Sequence, residues 1–192
     1  MSRTTLVTGL WDIKRGELSE GWSRNYDHYL NKFEQLLKVE ENMIIFGDEE
    51  LKKFVEERRS PDNTQFLLRN LDWFRNNEFF ENIQKIRNNP DWYNQVGWLK
   101  ESTQAKLEMY NPLVMCKMFL LHDAKIMDRF NSKFMYWIDA GLANTVHMGY
   151  FTHDGVLEKL EKQISKFSFI SFPYAAEREV HGFEYNKLNE YI

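Results

Sequence analysis

The sequence predicts an α/β layered fold with a mainly parallel central sheet and helices on both faces. Three observations carry this reading. Short β-branched or apolar runs, TTLVTGL (4–10), MIIF (43–46), TQFLL (64–68), FMYWI (134–138) and FSFISF (167–172), are bounded by polar or turn residues. Stretches with apolar residues at helical spacing lie between most of them. Such alternation builds parallel strands joined by crossover helices. Hydrophobic residues make up 43% and charged residues 28%, the balance of an ordinary globular chain rather than a disordered one.

The elements follow in chain order. The first run, Thr4 to Leu10, reads as a buried strand. Residues 11–23 hold two glycines, two serines and several charges, and read as a long loop. From Asn25 to Lys38, Tyr26, Tyr29, Leu30, Phe33, Leu36 and Leu37 recur at helical spacing. Met43 to Phe46 is a second buried strand ended by Gly47, and Asp48 is placed to cap a charged helix carrying Leu51, Phe54 and Val55 on one face. A turn at Pro61-Asp62-Asn63 precedes the third strand, Thr64 to Leu68. Asn76 to Asn88 reads as a helix stopped by Asn88-Asn89-Pro90. Asn111-Pro112 reads as a helix start, and the following LVMCKMFLLHDAKIMDRF is apolar nearly all round, so it is expected to be buried against the sheet. Phe134 to Ile138 is the next strand, Val156 to Ile164 an amphipathic helix, and Phe167 to Phe172 a last strand.

With 192 residues, no internal repeat and no linker, residues 1–192 read as one domain. The last stretch, HGFEYNKLNEYI, ends without a stop signal, as if the chain were the N-terminal part of a longer protein. Net charge is −4, which gives no support for binding nucleic acid. The single cysteine, Cys116, excludes an internal disulfide framework and fits a reducing, cytoplasmic setting. The apolar stretch at the N-terminus is too short for a signal peptide, and no segment approaches the ~18 apolar residues of a membrane span. The protein is therefore not expected to be integral to a membrane.

Ligands of open parallel sheets sit at the carboxyl ends of strands. Two strand ends carry acids there. TGLWDI brings Thr8, Gly9 and Asp12, and WIDAG brings Asp139 followed by Ala140 and Gly141. An acid in such a place serves a metal or a ribose hydroxyl, or else is only a turn residue or cap. The small residues after Asp139 let a bulky anion approach the backbone. Lys117 interrupts an apolar helix, so its amine either snorkels to solvent or meets an anion. Arg24 in GWSRNY is a phosphate partner or an exposed helix-start residue. The chain holds no Gly-rich phosphate loop, Cys/His zinc cluster or Gly-x-Ser-x-Gly elbow. Gly141 stands where an aspartate-nucleophile phosphatase needs its second acid.

Five segments in order, TTLVTGLWDI, RNYDHYLNKFEQLL, MIIFGDEEL, YNPLVMCKMFLLHDA and FMYWIDAGL, resemble the bacterial HtrL/YibB (WlaTC-like) family across nearly the whole chain. More broadly the chain is similar to nucleotide-sugar glycosyltransferases of the GT-A fold, a Rossmann-like architecture. The resemblance implies a sugar moved from a nucleoside diphosphate sugar donor to a hydroxyl of a glycan or lipid-linked sugar. It implies that Thr8, Gly9 and Asp12 line the nucleotide site, that Asp48 lies near the base, and that Lys117 approaches the sugar or phosphates. It also implies that Asp139 meets a divalent metal, Mn²⁺ or Mg²⁺. Gly141 replaces the second acid of the Asp-x-Asp pattern. The alternative is a non-catalytic nucleotide-sugar or glycan-binding module with a decayed metal site. No general base is assigned; His153, Asp154, Glu177 and His181 follow the Asp139 strand, where such enzymes build acceptor sites.

Overall fold

The computed structural model describes residues 4–145, 147, 149 and 155–166. Its sheet has four strands, all parallel: β1 (Thr4–Gly9), β2 (Asn42–Gly47), β3 (Thr64–Leu68) and β4 (Phe134–Trp137), in the order β3-β2-β1-β4. Register places Val7 opposite Ile44 on one side and Trp137 on the other. Ile138 continues the ladder past β4, its amide donating to the Val7 carbonyl at 2.8 Å. The mixed α/β, Rossmann-like class expected from the sequence is the one observed.

Helices cover both faces of the sheet. Strand residues alternate between faces, so neighbours in sequence enter different cores. Leu6, Met43 and Ile45 pack under α1 (Tyr26–Leu37) and α2 (Glu49–Glu56), against Phe33, Leu36, Leu51 and Val55. Val7, Ile44 and Phe46 face the opposite side and meet Phe74, Cys116, Leu120 and Ala124. Asn25 starts α1 by accepting from the His28 amide, and Asp48 starts α2 by accepting from the Leu51 amide. A buried guanidinium knits the opposite end of the sheet. Arg59 donates to the carbonyls of Leu37, Val39 and Glu41 and to the Thr64 hydroxyl, tying the end of α1, the connection into β2 and the start of β3 together.

Three expectations are corrected. The helix expected over 76–88 begins only at Phe80. A short α3 (Leu71–Arg75), capped by Asn70, precedes it, and α4 is Phe80–Arg87. Asn76 ends α3, and the Asn77 side chain accepts from the Phe79 amide, so these asparagines form the turn between helices. Pro90 does stop α4, but it also opens α5 (Pro90–Tyr93) at its first turn. Beyond α6 (Thr103–Lys106), α7 (Tyr110–Met115) starts one residue before Asn111, whose amide donates to the Gln104 carbonyl instead of capping. The chain breaks at Cys116 into α8 (Lys117–Met127).

That helical stretch is also not buried all round. Pro112, Cys116, Leu120 and Ala124 form one buried stripe, while Val114, Met115, Met118, Phe119 and Ile126 are exposed. The sheet covers a single stripe of a helix lying across it, and i,i+4 spacing selects that stripe. The helix expected over 156–164 is α9 (Val156–Gln163). The strand expected over 167–172 lies outside the described residues. Among the described residues, no helix is long and apolar enough to cross a membrane.

Candidate functional site

Strand order β3-β2-β1-β4 sets the direction of travel across the sheet. From β1 the chain winds toward β3 and then returns to the other side of β1 as β4. The connections therefore part between the carboxyl ends of β1 and β4, and open α/β sheets bind ligands in the crevice this creates. A cavity of about 350 Å³ lies there, walled by Gly9 and Trp11 from the end of β1 and by Trp137, Asp139, Ala140 and Gly141 from the end of β4. The loop after β1 adds Arg15 and Arg24, α1 adds Tyr29, and the α7–α8 region adds Tyr110 and Lys117.

Each wall has a local cause. A β-carbon on Gly9 would lie 2.4 Å from the Trp11 ring, so glycine is what lets that indole fold back against the strand end. The Trp11 Nε1–H donates to the Arg69 carbonyl at 2.6 Å, and the ring meets Phe74 edge-on at 4.9 Å. The Arg15 guanidinium donates through Nη1 to the Tyr29 hydroxyl at 2.7 Å and through Nε to the Trp22 carbonyl at 3.0 Å. On the β4 side, Asp139 Oδ1 forms an ion pair with Lys117 Nζ at 2.6 Å and accepts from Trp137 Nε1 at 2.8 Å. Asn144 donates to the Gly141 carbonyl and pairs with His28 on α1, fixing the turn after Asp139.

Six of the residues singled out from the sequence, Gly9, Arg24, Lys117, Asp139, Ala140 and Gly141, come together around this cavity. Three do not line it. Thr8 is fully buried, and its hydroxyl has no hydrogen-bond partner among the described residues. Asp12 pairs with Lys14 Nζ at 2.7 Å and accepts from the Lys14 amide. Partial burial works against its charge, but the Lys14 hydrogen bonds and charge outweigh that and hold its carboxyl below the usual range. Asp48 is occupied as the α2 cap. The buried Tyr26 hydroxyl lies within the fields of Asp48, Glu50 and Asp12; burial first, and then those charges, push its ionisation well above the ordinary phenol value.

Arg15, Tyr29, Tyr110 and Trp137 were not singled out beforehand. The basic pair Lys14-Arg15 on the loop leaving the first strand was the available signal for Arg15. His153, Asp154, Glu177 and His181 lie outside the described residues. Among the described residues, Asp139 is the one carboxylate lining the cavity, and no group of three or more His, Cys, Asp or Glu is placed to hold a metal ion.

Fold and cavity together define a parallel α/β protein with a cationic, aromatic-walled crevice at the switch between β1 and β4. The chain belongs to the HtrL_YibB family, described as bacterial proteins of unknown function, which it matches over residues 2–186. It is 29% identical over 152 residues to Protein HtrL of Escherichia coli (strain K12), covering 73% of this chain and 51% of that protein. The chain thus spans about half the length of that relative. No solved structure matches it.

Proposed function

We propose that the protein is a GT-A-like glycosyltransferase that moves a sugar from a nucleoside diphosphate sugar to a hydroxyl of a glycan or lipid-linked acceptor in the cytoplasm. The observation that carries this reading is the charge of the crevice. Among the described residues, Arg15, Arg24 and Lys117 line it against the one carboxylate of Asp139. A diphosphate at a switch point needs such cations, and Trp11, Tyr29 and Trp137 offer apolar faces for a base or sugar ring. In the transfer the anomeric C–O bond breaks and its electron pair leaves on the terminal phosphate oxygen. The acceptor oxygen forms the new bond and releases its proton to a basic side chain or to water. The cations stabilise the charge developing on the leaving diphosphate.

The resemblance implies Mn²⁺ or Mg²⁺ at Asp139. The donor set does not compose such a shell. Asp139 Oδ1 is already ion-paired with Lys117 and accepts from Trp137, and Gly141 brings no side-chain ligand to the place of the second acid.

A thermal-shift panel of UDP-, GDP- and dTDP-sugars tests the reading, with and without Mn²⁺. At least one nucleotide is expected to raise the melting temperature, and Arg24→Glu is expected to reduce that gain. No shift with any member under either condition ends the proposal. A second reading, a nucleotide-sugar or glycan-binding module without transfer, is favoured by Asp139 being ion-paired rather than free to act as a base. It predicts stabilisation with no donor hydrolysis; slow release of free sugar rules it out.

A further inference from the structure

We infer that the Lys117 ammonium, in place of a divalent metal, is the cation that receives the donor's diphosphate, and that Asp139 is its resting counterion. This rests on the nucleotide-sugar reading of the crevice. Four features converge on it. Lys117 stands at the α7–α8 junction inside an otherwise apolar helical stretch, where its amine is half-buried and is matched by an anion beside it. Asp139 supplies that anion at 2.6 Å, and the same oxygen also takes the Trp137 indole N–H. A metal on this oxygen would have to displace the lysine and then sit beside it, two cations sharing one carboxylate.

The place of a second acid holds a glycine and is tightly packed. A β-carbon on Gly141 would lie 3.2 Å from Asn144 Nδ2 and 3.5 Å from the Tyr29 ring. The Asn144 amide is held there by the Gly141 carbonyl and His28. A side chain at this position would need the Asn144 amide to give by a few tenths of an ångström, against its bonds to the Gly141 carbonyl and His28. Finally, Arg15 and Arg24 line the same cavity, so two further cations are available to a group carrying several negative charges.

The result is an exchange of partners. With the crevice empty, Lys117 pairs with Asp139. With a diphosphate bound, the ammonium turns its hydrogen bonds to phosphate oxygens and remains there as charge builds on the leaving group.

Isothermal titration of UDP and GDP into the protein, in EDTA and then in Mn²⁺, tests this. At least one nucleotide is expected to bind in EDTA with an affinity within about threefold of that in Mn²⁺. Lys117→Met is expected to weaken that binding by about ten- to a hundredfold, the loss of one charge-assisted contact, while Lys117→Arg retains most of it. Asp139→Asn, which removes the counterion and leaves the lysine, is expected to keep or tighten binding. Circular dichroism checks that each variant is folded. Binding that requires Mn²⁺ and disappears in Asp139→Asn overturns the inference and leaves the nucleotide reading standing. No binding under either condition overturns both.

Discussion

The Arg15 guanidinium donates to the Tyr29 hydroxyl at 2.7 Å, joining the loop after β1 to α1 at the wall of the β1–β4 crevice. Its Nε is committed to the Trp22 carbonyl, so the planar group is held in one orientation by its own loop and by α1. An arginine fixed in this way has lost its rotamer freedom before ligand arrives, and its remaining N–H groups are available to an anion. Arg15→Ala is expected to weaken nucleotide binding by about ten- to a hundredfold, and Arg15→Lys to restore little, because an ammonium has no fork. Tyr29→Phe keeps the charge but releases its anchor, so a loss of only a few-fold is expected. Titration calorimetry of the three variants reads the difference; equal losses in Tyr29→Phe and Arg15→Ala would show that orientation alone matters.

Gly9 offers a stability test with a site readout. Its missing side chain is filled by the Trp11 ring, and Phe46's carbonyl lies 3.1 Å from where a β-carbon would sit. Gly9→Ala must push the indole away from the strand end, breaking its bond to the Arg69 carbonyl. Overpacking of this kind costs about 1–3 kcal/mol. Urea unfolding is expected to show that loss, with a red shift in tryptophan emission as Trp11 gains solvent. A variant as stable as the parent, with unchanged emission, would show that the ring has room to move.

The central strands were legible because a strand buried on both faces cannot alternate. Met43 to Phe46 are all buried, and they read as an unbroken apolar run for that reason. Asp139 and Lys117 were legible as outliers, a charge at the end of one apolar run and a charge inside another. Their pairing was not, since it depends on the break at Cys116 that puts Lys117 at a helix start. Thr8, Asp12 and Asp48 show the limit of reading strand ends. All three lie at the right edge, but Thr8 turns into the core, and backbone amides within three residues claim the two carboxylates. Whether an acid serves a ligand or its own turn is settled by a few ångströms of loop path. The asparagines at 76 and 77 misled for a related reason: helical spacing around them concealed that each serves a turn.

Arg59 carries a prediction about the opposite end of the sheet. Burial pushes its guanidinium down to about 10, which leaves it charged at neutral pH with carbonyls rather than a carboxylate around it. Arg59→Met fills much of the same volume but strands the buried carbonyls of Leu37 and Val39. A loss of about 3 kcal/mol or more is expected, from buried acceptors left unpaired. Arg59→Lys is expected to recover only part, having three donors for contacts spread over three segments. Chemical denaturation measures both. Because this end of the sheet lies away from the crevice, nucleotide affinity of the folded fraction is expected to stay unchanged.

Tyr26 ties stability to alkaline pH. Its hydroxyl is buried without a partner among the described residues, and burial together with Asp48, Glu50 and Asp12 raises its ionisation above the ordinary value of 10.0. Above that pH the unfolded chain releases the phenolic proton while the folded chain keeps it. The folded state then binds more protons, so stability falls as pH rises through this window; below the unfolded value the contribution is complete. Tyr26→Phe removes both the unpaired hydroxyl and its titration. At neutral pH the variant is expected to be unchanged or up to about 1 kcal/mol more stable, because an unsatisfied buried polar group is lost without a new cavity. Between neutral pH and strongly alkaline solution its unfolding free energy is expected to decline less steeply than the parent's. Urea titrations across that range measure the two slopes, and parallel slopes would show that the Tyr26 hydroxyl reaches water in the folded protein.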